Sequence, residues 1–244
     1  MAASAAVRAS SLGYRLDSGR EILVRVDFRL APASFLAIVG ENGAGKTSLL
    51  DLLLGFRRRT EGELSVLDRD PETDPWETRA RIAYLSEKVD MPGDWEAGDF
   101  LEFHRGFYDS YDRDEERTLM GRLGVRYDAR VGAMSAGETR RVQIVGALAT
   151  WPQLIVADEI TALLDILGRR TFLSLLQDRR RGRGATIVLA TNVPEGLDAY
   201  ADHVLLISRG QQLAFGRLPE FVDGQANLAD AVATRLEADD RPLR

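Results

Sequence analysis

The sequence predicts an α/β protein built around a mostly parallel sheet, because short apolar runs alternate along the chain with longer helical patterns. Such alternation is typical of units in which a helix joins two parallel strands. Two further features fit this interpretation: a glycine-rich segment follows the first apolar run, and two acidic residues end the third. The five strand-like runs are residues 35–39, 82–85, 154–157, 186–190 and 204–207.

The remaining segments define the expected domain organisation. Residues 7–16 and 21–30 have strand character with a turn between them, which predicts an antiparallel β layer before the parallel core. Residues 92–149 are expected to be mostly helical, and we interpret them as an insertion in an α/β core. The predicted single domain therefore has a core (1–91 and 150–223), a helical subdomain (92–149) and a C-terminal helix with a charged tail (224–244).

Composition narrows the function classes. The chain has 244 residues, 45% of them hydrophobic, and a net charge of -6, so no direct nucleic-acid partner is expected. It has no cysteine, which excludes disulfides and thiolate metal sites, and its two histidines, His104 and His203, are far apart in sequence. No apolar run approaches the roughly 18 residues that span a bilayer, so any membrane role is expected to act through a partner.

The segment GENGAGKT matches the pattern G-x-x-x-x-G-K-[ST] between an apolar strand and a helical run. Glycines let backbone N–H groups turn toward phosphate oxygens, and the helix N-terminus adds partial positive charge. The alternative is a turn that merely caps a helix, but Lys46 is one of only two lysines, which makes a chance match rare. The residues expected at a bound nucleotide are Gly40, Asn42, Gly43, Ala44, Gly45, Lys46 and Thr47, the last also as a Mg²⁺ ligand.

Two carboxylates end the apolar strand LIVAD. Asp158 is expected on the magnesium side of a bound nucleotide, and Glu159 is expected to accept a hydrogen bond from the attacking water as a base or water-positioning group. The alternative is that both residues only solvate a strand end.

With these motifs, the segment MSAGE before a helix and residues 161–165 after Glu159, the chain resembles ABC ATPases over nearly all of its length. The resemblance implies a P-loop NTPase core with an N-terminal antiparallel β layer and a helical signature subdomain. It also implies ATP and Mg²⁺ as ligands and ATP hydrolysis as the activity.

The family signature is close to LSGGQ, and its helix N-terminus grips the γ-phosphate of ATP held by the opposite subunit. Ser135 and Gly137 keep the matching positions, whereas Ala136 replaces a glycine and Glu138 replaces glutamine. A serine followed three residues later by glutamate is also an ordinary capping box, which is the alternative for this segment. The resemblance further implies that Tyr14 stacks on adenine and that Asp165 faces the partner subunit.

Two other positions depart from the family pattern on the γ-phosphate side. Glu87 stands where the family carries a glutamine that reaches the metal or water, and an ionised carboxylate donates no hydrogen bond. Asn192 replaces a histidine, so it can donate through its amide but carries no charge. We hypothesise that hydrolysis is slow, or that the two sites of a dimer are unequal.

The helical segment is similar to that of bacterial exporter-type ATPases whose membrane subunits are separate chains. The implied partners are integral membrane transporter subunits and a second ABC ATPase, in a homodimer or heterodimer at the inner, cytoplasmic face of the plasma membrane. We expect Phe100 and Phe103 in the core and Trp95 and Tyr111 as docking residues. The open alternatives are a soluble ABC ATPase that acts on DNA or ribosomes and an ATP-binding switch with little hydrolysis.

Overall fold

The computed structural model of the protein describes residues 5–88 and 90–240, so residues 241–244 of the predicted tail lie outside it. Within these residues one sheet contains nine strands. In chain order the strands are β1 (Val7–Arg15), β2 (Glu21–Leu30), β3 (Phe35–Val39), β4 (Glu61–Val66), β5 (Ile82–Leu85), β6 (Leu154–Asp158), β7 (Thr186–Thr191), β8 (His203–Ser208) and β9 (Gln211–Arg217).

Helices cover both faces of the sheet and fill the segment between β5 and β6. None of the described helices is long and apolar enough to cross a membrane. In chain order the α-helices are α1 (Lys46–Leu53), α2 (Pro75–Arg79), α3 (Ala97–Arg105), α4 (Arg113–Leu123), α5 (Ala136–Leu148), α6 (Ile166–Arg183), α7 (Leu218–Phe221) and α8 (Leu228–Asp239).

The strand order is β4-β1-β2-β9-β8-β3-β7-β6-β5. The five strands from β8 to β5 are parallel, whereas β1 pairs antiparallel with both β2 and β4. This arrangement confirms the predicted α/β class and the antiparallel N-terminal strands. One feature was not predicted: the antiparallel strands join the parallel core through the pairing of Val24 with Gln211, so both belong to one sheet.

The central strand β3 shows why the core lies on both faces. Its sequence FLAIV is fully buried, and successive side chains point to opposite faces of a sheet. Phe35, Ala37 and Val39 pack with α5 and α6, while Leu36 and Ile38 pack with α1 and the N-terminal strands. A strand covered on both sides needs a continuous apolar run, which the sequence provides.

The helical segment corrects two expectations. Phe103 is 55% exposed and therefore is not a core residue. Ala97 and Leu101 define the buried side of α3, and a rotation of 100° per residue places Phe103 roughly 120° from Ala97. Tyr111, expected at a docking surface, packs against the core and donates a hydrogen bond to Glu116 Oε2 at 2.5 Å.

Phe100 and Trp95 are both partly buried in this segment. Phe100 packs against the core, as expected. Trp95 is half-buried, and its ring contacts Phe103 edge-on with the centroids 5.4 Å apart. The exposed apolar surface of this segment is consequently formed by Phe103 of α3 and by Phe107, which follows the helix and is 67% exposed.

Candidate functional site

The turn between β3 and α1 is shaped by its glycines. Gly43 and Gly45 have φ values of 79° and 107°, a region that favours glycine. A Cβ atom on Gly40 would lie 2.2 Å from the carbonyl oxygen of Ile207, so the close approach of β8 also requires glycine there. The turn can therefore bring backbone N–H groups to an anion at the N-terminus of α1.

Lys46 is held inside this turn. Its side chain is 5% exposed, and its ammonium donates to the carbonyl oxygens of Gly40 at 2.8 Å and Glu41 at 3.0 Å. The third contact is ionic, with Glu159 Oε1 at 3.1 Å. The folded chain therefore joins the cation of the phosphate turn to the carboxylate expected to position water.

Only one of the two carboxylate oxygens of Asp158 accepts a hydrogen bond from a described residue. Thr47 donates to its Oδ2 at 2.8 Å, whereas Oδ1 is buried and has no hydrogen-bond partner among the described residues. Burial raises the pKa of Asp158, and the negative charges of Glu159 and Glu87 raise it further against the hydrogen bond from Thr47. A divalent cation would satisfy the free oxygen, so these side chains fit Mg²⁺.

Protein ligands alone would not complete such a metal site. Among residues 5–88 and 90–240, no three acidic or histidine side chains form a metal-binding group. A cation beside Thr47 and Asp158 would therefore need further oxygens from a bound phosphate or water.

A cavity of about 380 Å³ opens in front of the turn. It brings together most of the residues predicted from the phosphate turn, together with Glu87 and Glu159. Ile22 and Ser48 were not predicted to line it; Ile22 lies in the N-terminal β strands, which sequence patterns do not relate to the turn. The lining residues are Ile22, Asn42, Gly43, Gly45, Lys46, Thr47, Ser48, Glu87 and Glu159.

Tyr14 lies beside this cavity but not in its lining. Its Cα pairs with that of Leu23, the neighbour of Ile22. The phenol oxygen accepts a hydrogen bond from Arg57 at 2.9 Å, and the Arg57 guanidinium lies 5.5 Å from the centre of the ring. The adenine contact of Tyr14 stays a prediction.

Asn192 contacts both sides of the cavity. Its backbone N–H donates to Glu159 Oε2 and its side-chain amide donates to Asn42 Oδ1, both at 3.1 Å. Glu159 itself has φ 50°, an uncommon backbone conformation for a non-glycine residue. Backbone geometry and Asn192 together fix the direction of the Glu159 carboxylate.

The MSAGE segment forms a capping box at the start of α5, as the alternative interpretation expected. Ser135 donates its backbone N–H and its hydroxyl to Glu138 Oε2, each at 2.8 Å, and these bonds hold the pKa of Glu138 below its ordinary value. Both residues are exposed, and neither lines the cavity of Lys46. Gly137 also lies outside that cavity, so one chain does not bring the two motifs together.

Asp165 caps α6 by accepting a hydrogen bond from the backbone of Gly168 at 2.6 Å. Its other oxygen lies 3.5 Å from Arg141 of α5, which links this loop to the signature helix. Ile166 and Leu167 follow it and are 84% and 73% exposed. This apolar pair was not predicted from the sequence, because two isolated apolar residues at a helix start form no periodic pattern.

Comparison with known proteins shows the family of this chain. The family model described as ABC transporter matches residues 23–162. The chain is 31% identical over 231 residues to ABC transporter I family member 21 of Arabidopsis thaliana, covering 91% of this chain and 82% of that protein.

Two further relatives have names with opposite transport directions. A hemin import ATP-binding protein of Thermobifida fusca is 29% identical, with 91% of this chain and 81% of that protein covered. Nod factor export ATP-binding protein I of Rhizobium leguminosarum is 27% identical, with 87% and 70% covered.

A solved structure of the ATP-binding subunit of an ABC transporter superimposes with a TM-score of 0.85. It is 22% identical and covers 94% of this chain and 99% of that one, which supports the fold.

Proposed function

Because this chain belongs to the ABC transporter family of ATP-binding subunits, we propose that it powers a membrane exporter by binding and hydrolysing MgATP in the cavity of Lys46. The observation that carries the proposal is that three charged side chains meet at the phosphate turn. The Lys46 ammonium and the Glu159 carboxylate line the cavity 3.1 Å apart, and the buried carboxylate of Asp158, with its free oxygen, lies behind Thr47.

Each residue has a separate role in the proposed site. Backbone amides of the turn and the Lys46 ammonium bind the phosphate oxygens. Thr47 and Asp158 would hold Mg²⁺, with Glu87 as a further acidic contact, and the bound cation would supply positive charge to the phosphates. Glu159 positions and deprotonates the attacking water.

Substitution of Lys46 tests the proposal. Lys46→Ala should weaken MgATP binding by roughly 100-fold, because it removes a buried cation from the phosphate site. Lys88→Ala changes the net charge equally at an exposed loop and should leave the affinity within about twofold. Isothermal titration of the purified chain measures both, and equal affinities for Lys46→Ala and the unsubstituted protein would contradict the assignment.

We further propose that two such chains, or this chain and another ABC ATPase, close over two ATP molecules. The support is that Ser135, Gly137 and Glu138 lie at an exposed helix start outside the cavity, where a second chain can present them to its phosphates. Asp165 would lie at the same interface. Ser135→Arg should abolish ATP-dependent dimerisation in light scattering while leaving ATP binding by the single chain unchanged.

The proposed membrane partner docks at another surface. A cavity of about 220 Å³ lies between the core and α3, lined by residues that include Phe56, Arg79 and His104. Trp76 beside it is 78% exposed, and Arg79 lies 4.9 Å from its ring centre. An aromatic surface of this kind suits a short cytoplasmic helix of a membrane subunit, which would keep the chain at the inner face of the plasma membrane.

Co-purification with a polytopic membrane protein tests this docking surface. Trp76→Asp should lose the membrane protein while retaining ATP binding, and recovery of an undiminished complex would contradict the assigned surface. Transport assays in vesicles with the recovered complex decide between export and import.

A second candidate function is an ATP-binding switch with little hydrolysis. The observation that favours it is that Asn192, in place of a histidine, is hydrogen-bonded to Asn42 and carries no charge for the transferring phosphoryl group. Steady-state ATPase with the membrane partner separates the two: fast turnover that is unchanged in Asn192→Ala would exclude the switch.

A further inference from the structure

Three aromatic rings lie in contact along the outer side of α3. The ring of Trp95 contacts that of Phe103 edge-on with the centroids 5.4 Å apart, and Phe103 contacts Phe107 in the same way at 5.0 Å. Phe103 is 55% exposed and Phe107 67% exposed. We call these three side chains the aromatic ridge. The ridge forms an apolar strip of roughly 10 Å, which is about the length of two helical turns.

The aromatic ridge is separate from the cavity of about 220 Å³ near Trp76. His104 and Tyr108 line that cavity, whereas the three rings of the ridge do not. Consecutive residues of a helix point about 100° apart, so His104 and Phe103 face different directions. Isolated exposed apolar side chains are ordinary, but contiguous exposed apolar side chains mark an interaction surface. The ridge is therefore a second such surface on the helical segment.

The surroundings of the aromatic ridge are strongly acidic. The acidic residues between positions 94 and 109 are Asp94, Glu96, Asp99, Glu102 and Asp109. The same stretch contains no lysine and one arginine, Arg105, which is ion-paired with Glu102. Burial lowers the pKa of His104, so this side chain adds no positive charge near neutral pH. The ridge therefore lies in a region of net negative charge.

Two of these carboxylates lie on the same side of α3 as the aromatic ridge. Glu96 and Asp99 precede Phe103 by seven and four residues, and residues at this spacing share one face of a helix. Asp99 accepts a hydrogen bond from the backbone N–H of Glu96 at 2.9 Å, which holds its carboxylate at the start of α3. A segment laid along this face would meet negative charge at the start of α3 and phenyl rings toward its end.

We propose that the aromatic ridge binds a basic amphipathic helix of a partner protein. The apolar side of this helix packs against Phe103 and Phe107, and its lysines or arginines face the carboxylates at the start of α3. A lipid surface fits less well, because anionic headgroups would be repelled by this acidic region. A second copy of the same surface would likewise bring like charges together. The inference goes beyond the proposed function, since it involves no nucleotide.

Two synthetic peptides test the charge and the apolar character of the occupant. The probe is a labelled peptide of about 18 residues made of leucine and lysine, with the leucines at three- and four-residue spacing. The second peptide has glutamate in place of every lysine. Fluorescence anisotropy with the full chain should show binding of the lysine peptide and at least about tenfold weaker binding of the glutamate peptide. The affinity for the lysine peptide should fall as the salt concentration rises.

Substitutions locate the binding surface. Phe103→Ser combined with Phe107→Ser should weaken the lysine peptide by at least about tenfold, because two apolar contacts are lost. The matched control is Ile166→Ser combined with Leu167→Ser, which removes another apolar pair, 84% and 73% exposed, at the start of α6. This control should bind the peptide within about twofold of the native chain. Asp99→Asn keeps the oxygen that accepts the Glu96 hydrogen bond and should weaken the peptide by about threefold.

Several results would overturn the inference. They are failure of the native chain to bind the lysine peptide, equal affinity for the glutamate peptide, and native affinity in Phe103→Ser with Phe107→Ser. An equal loss in the control pair would also contradict the assigned surface. Binding to vesicles of phosphatidylcholine with phosphatidylserine, or self-association in light scattering, identifies another occupant if Phe103→Ser with Phe107→Ser abolishes it. Unchanged MgATP affinity in that variant would show that the loss of peptide binding is not a loss of fold.

Discussion

The ammonium of Lys46 lies 3.1 Å from the carboxylate of Glu159. Lys46 is 5% exposed and Glu159 14% exposed, so the pair is largely desolvated. Removing one partner of a buried pair leaves an uncompensated charge, which typically costs about 3–5 kcal/mol. In the proposed function, a triphosphate that enters this cavity would compete with Glu159 for the Lys46 ammonium and would free the carboxylate to face a water molecule.

The first prediction concerns this competition. Glu159→Gln should bind MgATP at least as tightly as the native protein, because it removes a negative charge that competes with phosphate for Lys46. Turnover should fall by about 100-fold or more, since the group that accepts the proton is lost. Calorimetry and phosphate release measure the two effects.

Glu195→Gln is a matched control for charge, because Glu195 is exposed and close in sequence to Asn192. Glu195→Gln should change neither the MgATP affinity nor the turnover by more than about twofold. Unchanged turnover in Glu159→Gln would mean that another group activates the water.

The second prediction concerns the pH dependence of stability. Burial raises the pKa of Asp158, so without a cation its carboxyl group holds a proton more tightly in the folded chain than in the unfolded chain. The resulting stabilisation is complete below the ordinary aspartate pKa of about 3.9 and is lost as pH rises through the raised pKa of the folded state.

Asp158→Asn removes this titration while keeping an oxygen that accepts the Thr47 hydrogen bond. The free energy of unfolding of the native protein minus that of Asp158→Asn should fall with rising pH. Mg²⁺ with ATP should restore the stability of the native chain but not that of Asp158→Asn. Urea unfolding at several pH values gives the difference. A difference that rises with pH would show that Asp158 is stabilised as an anion in the folded chain.

The third prediction addresses Asn192. Asn192→His restores a group that can carry charge near the transferring phosphoryl group, and it should raise turnover by about tenfold. Asn192→Ala removes the hydrogen bond to Asn42 and should lower stability by about 1 kcal/mol. Steady-state ATPase and thermal unfolding measure the two variants, and a lower turnover in Asn192→His would contradict the hypothesis that the missing histidine slows hydrolysis.

The fourth prediction concerns a buried carboxylate in the helical segment. Glu116 is 7% exposed, and it accepts hydrogen bonds from Tyr111 at 2.5 Å and Tyr127 at 2.6 Å. Tyr111→Phe should reduce the free energy of unfolding by about 1–3 kcal/mol, because the carboxylate loses a donor without gaining water.

Tyr200→Phe, at a half-buried position between β7 and β8, is the control for this substitution and should cost less than about 0.5 kcal/mol. Chemical unfolding followed by circular dichroism measures both variants. Equal stability of Tyr111→Phe and the native chain would mean that Glu116 finds another donor.

Particular residues show how much of this protein follows from local sequence. The run FLAIV predicted β3, and GENGAGKT predicted the turn whose glycines adopt positive φ, because both patterns are contiguous and the requirement is local. Most of the residues predicted around the phosphate turn line one cavity for the same reason. The wrong expectation for Phe103 arose because Phe100 and Phe103, three residues apart, do not by themselves reveal which side of α3 faces the core.

The tertiary structure alone decided the contacts between segments distant in the chain. Ile22 lines the cavity because β2 crosses in front of the turn, and Arg140 reaches Ser86 and Glu87 across more than 50 residues. Amino-acid patterns record the periodicity of one element, whereas such contacts depend on how two elements pack. The sequence by itself therefore determined the family, the α/β class with its parallel strands and the glycine turn that holds Lys46. Packing determined that Lys46 is paired with Glu159 and that the signature helix is attached to the loop of Glu87.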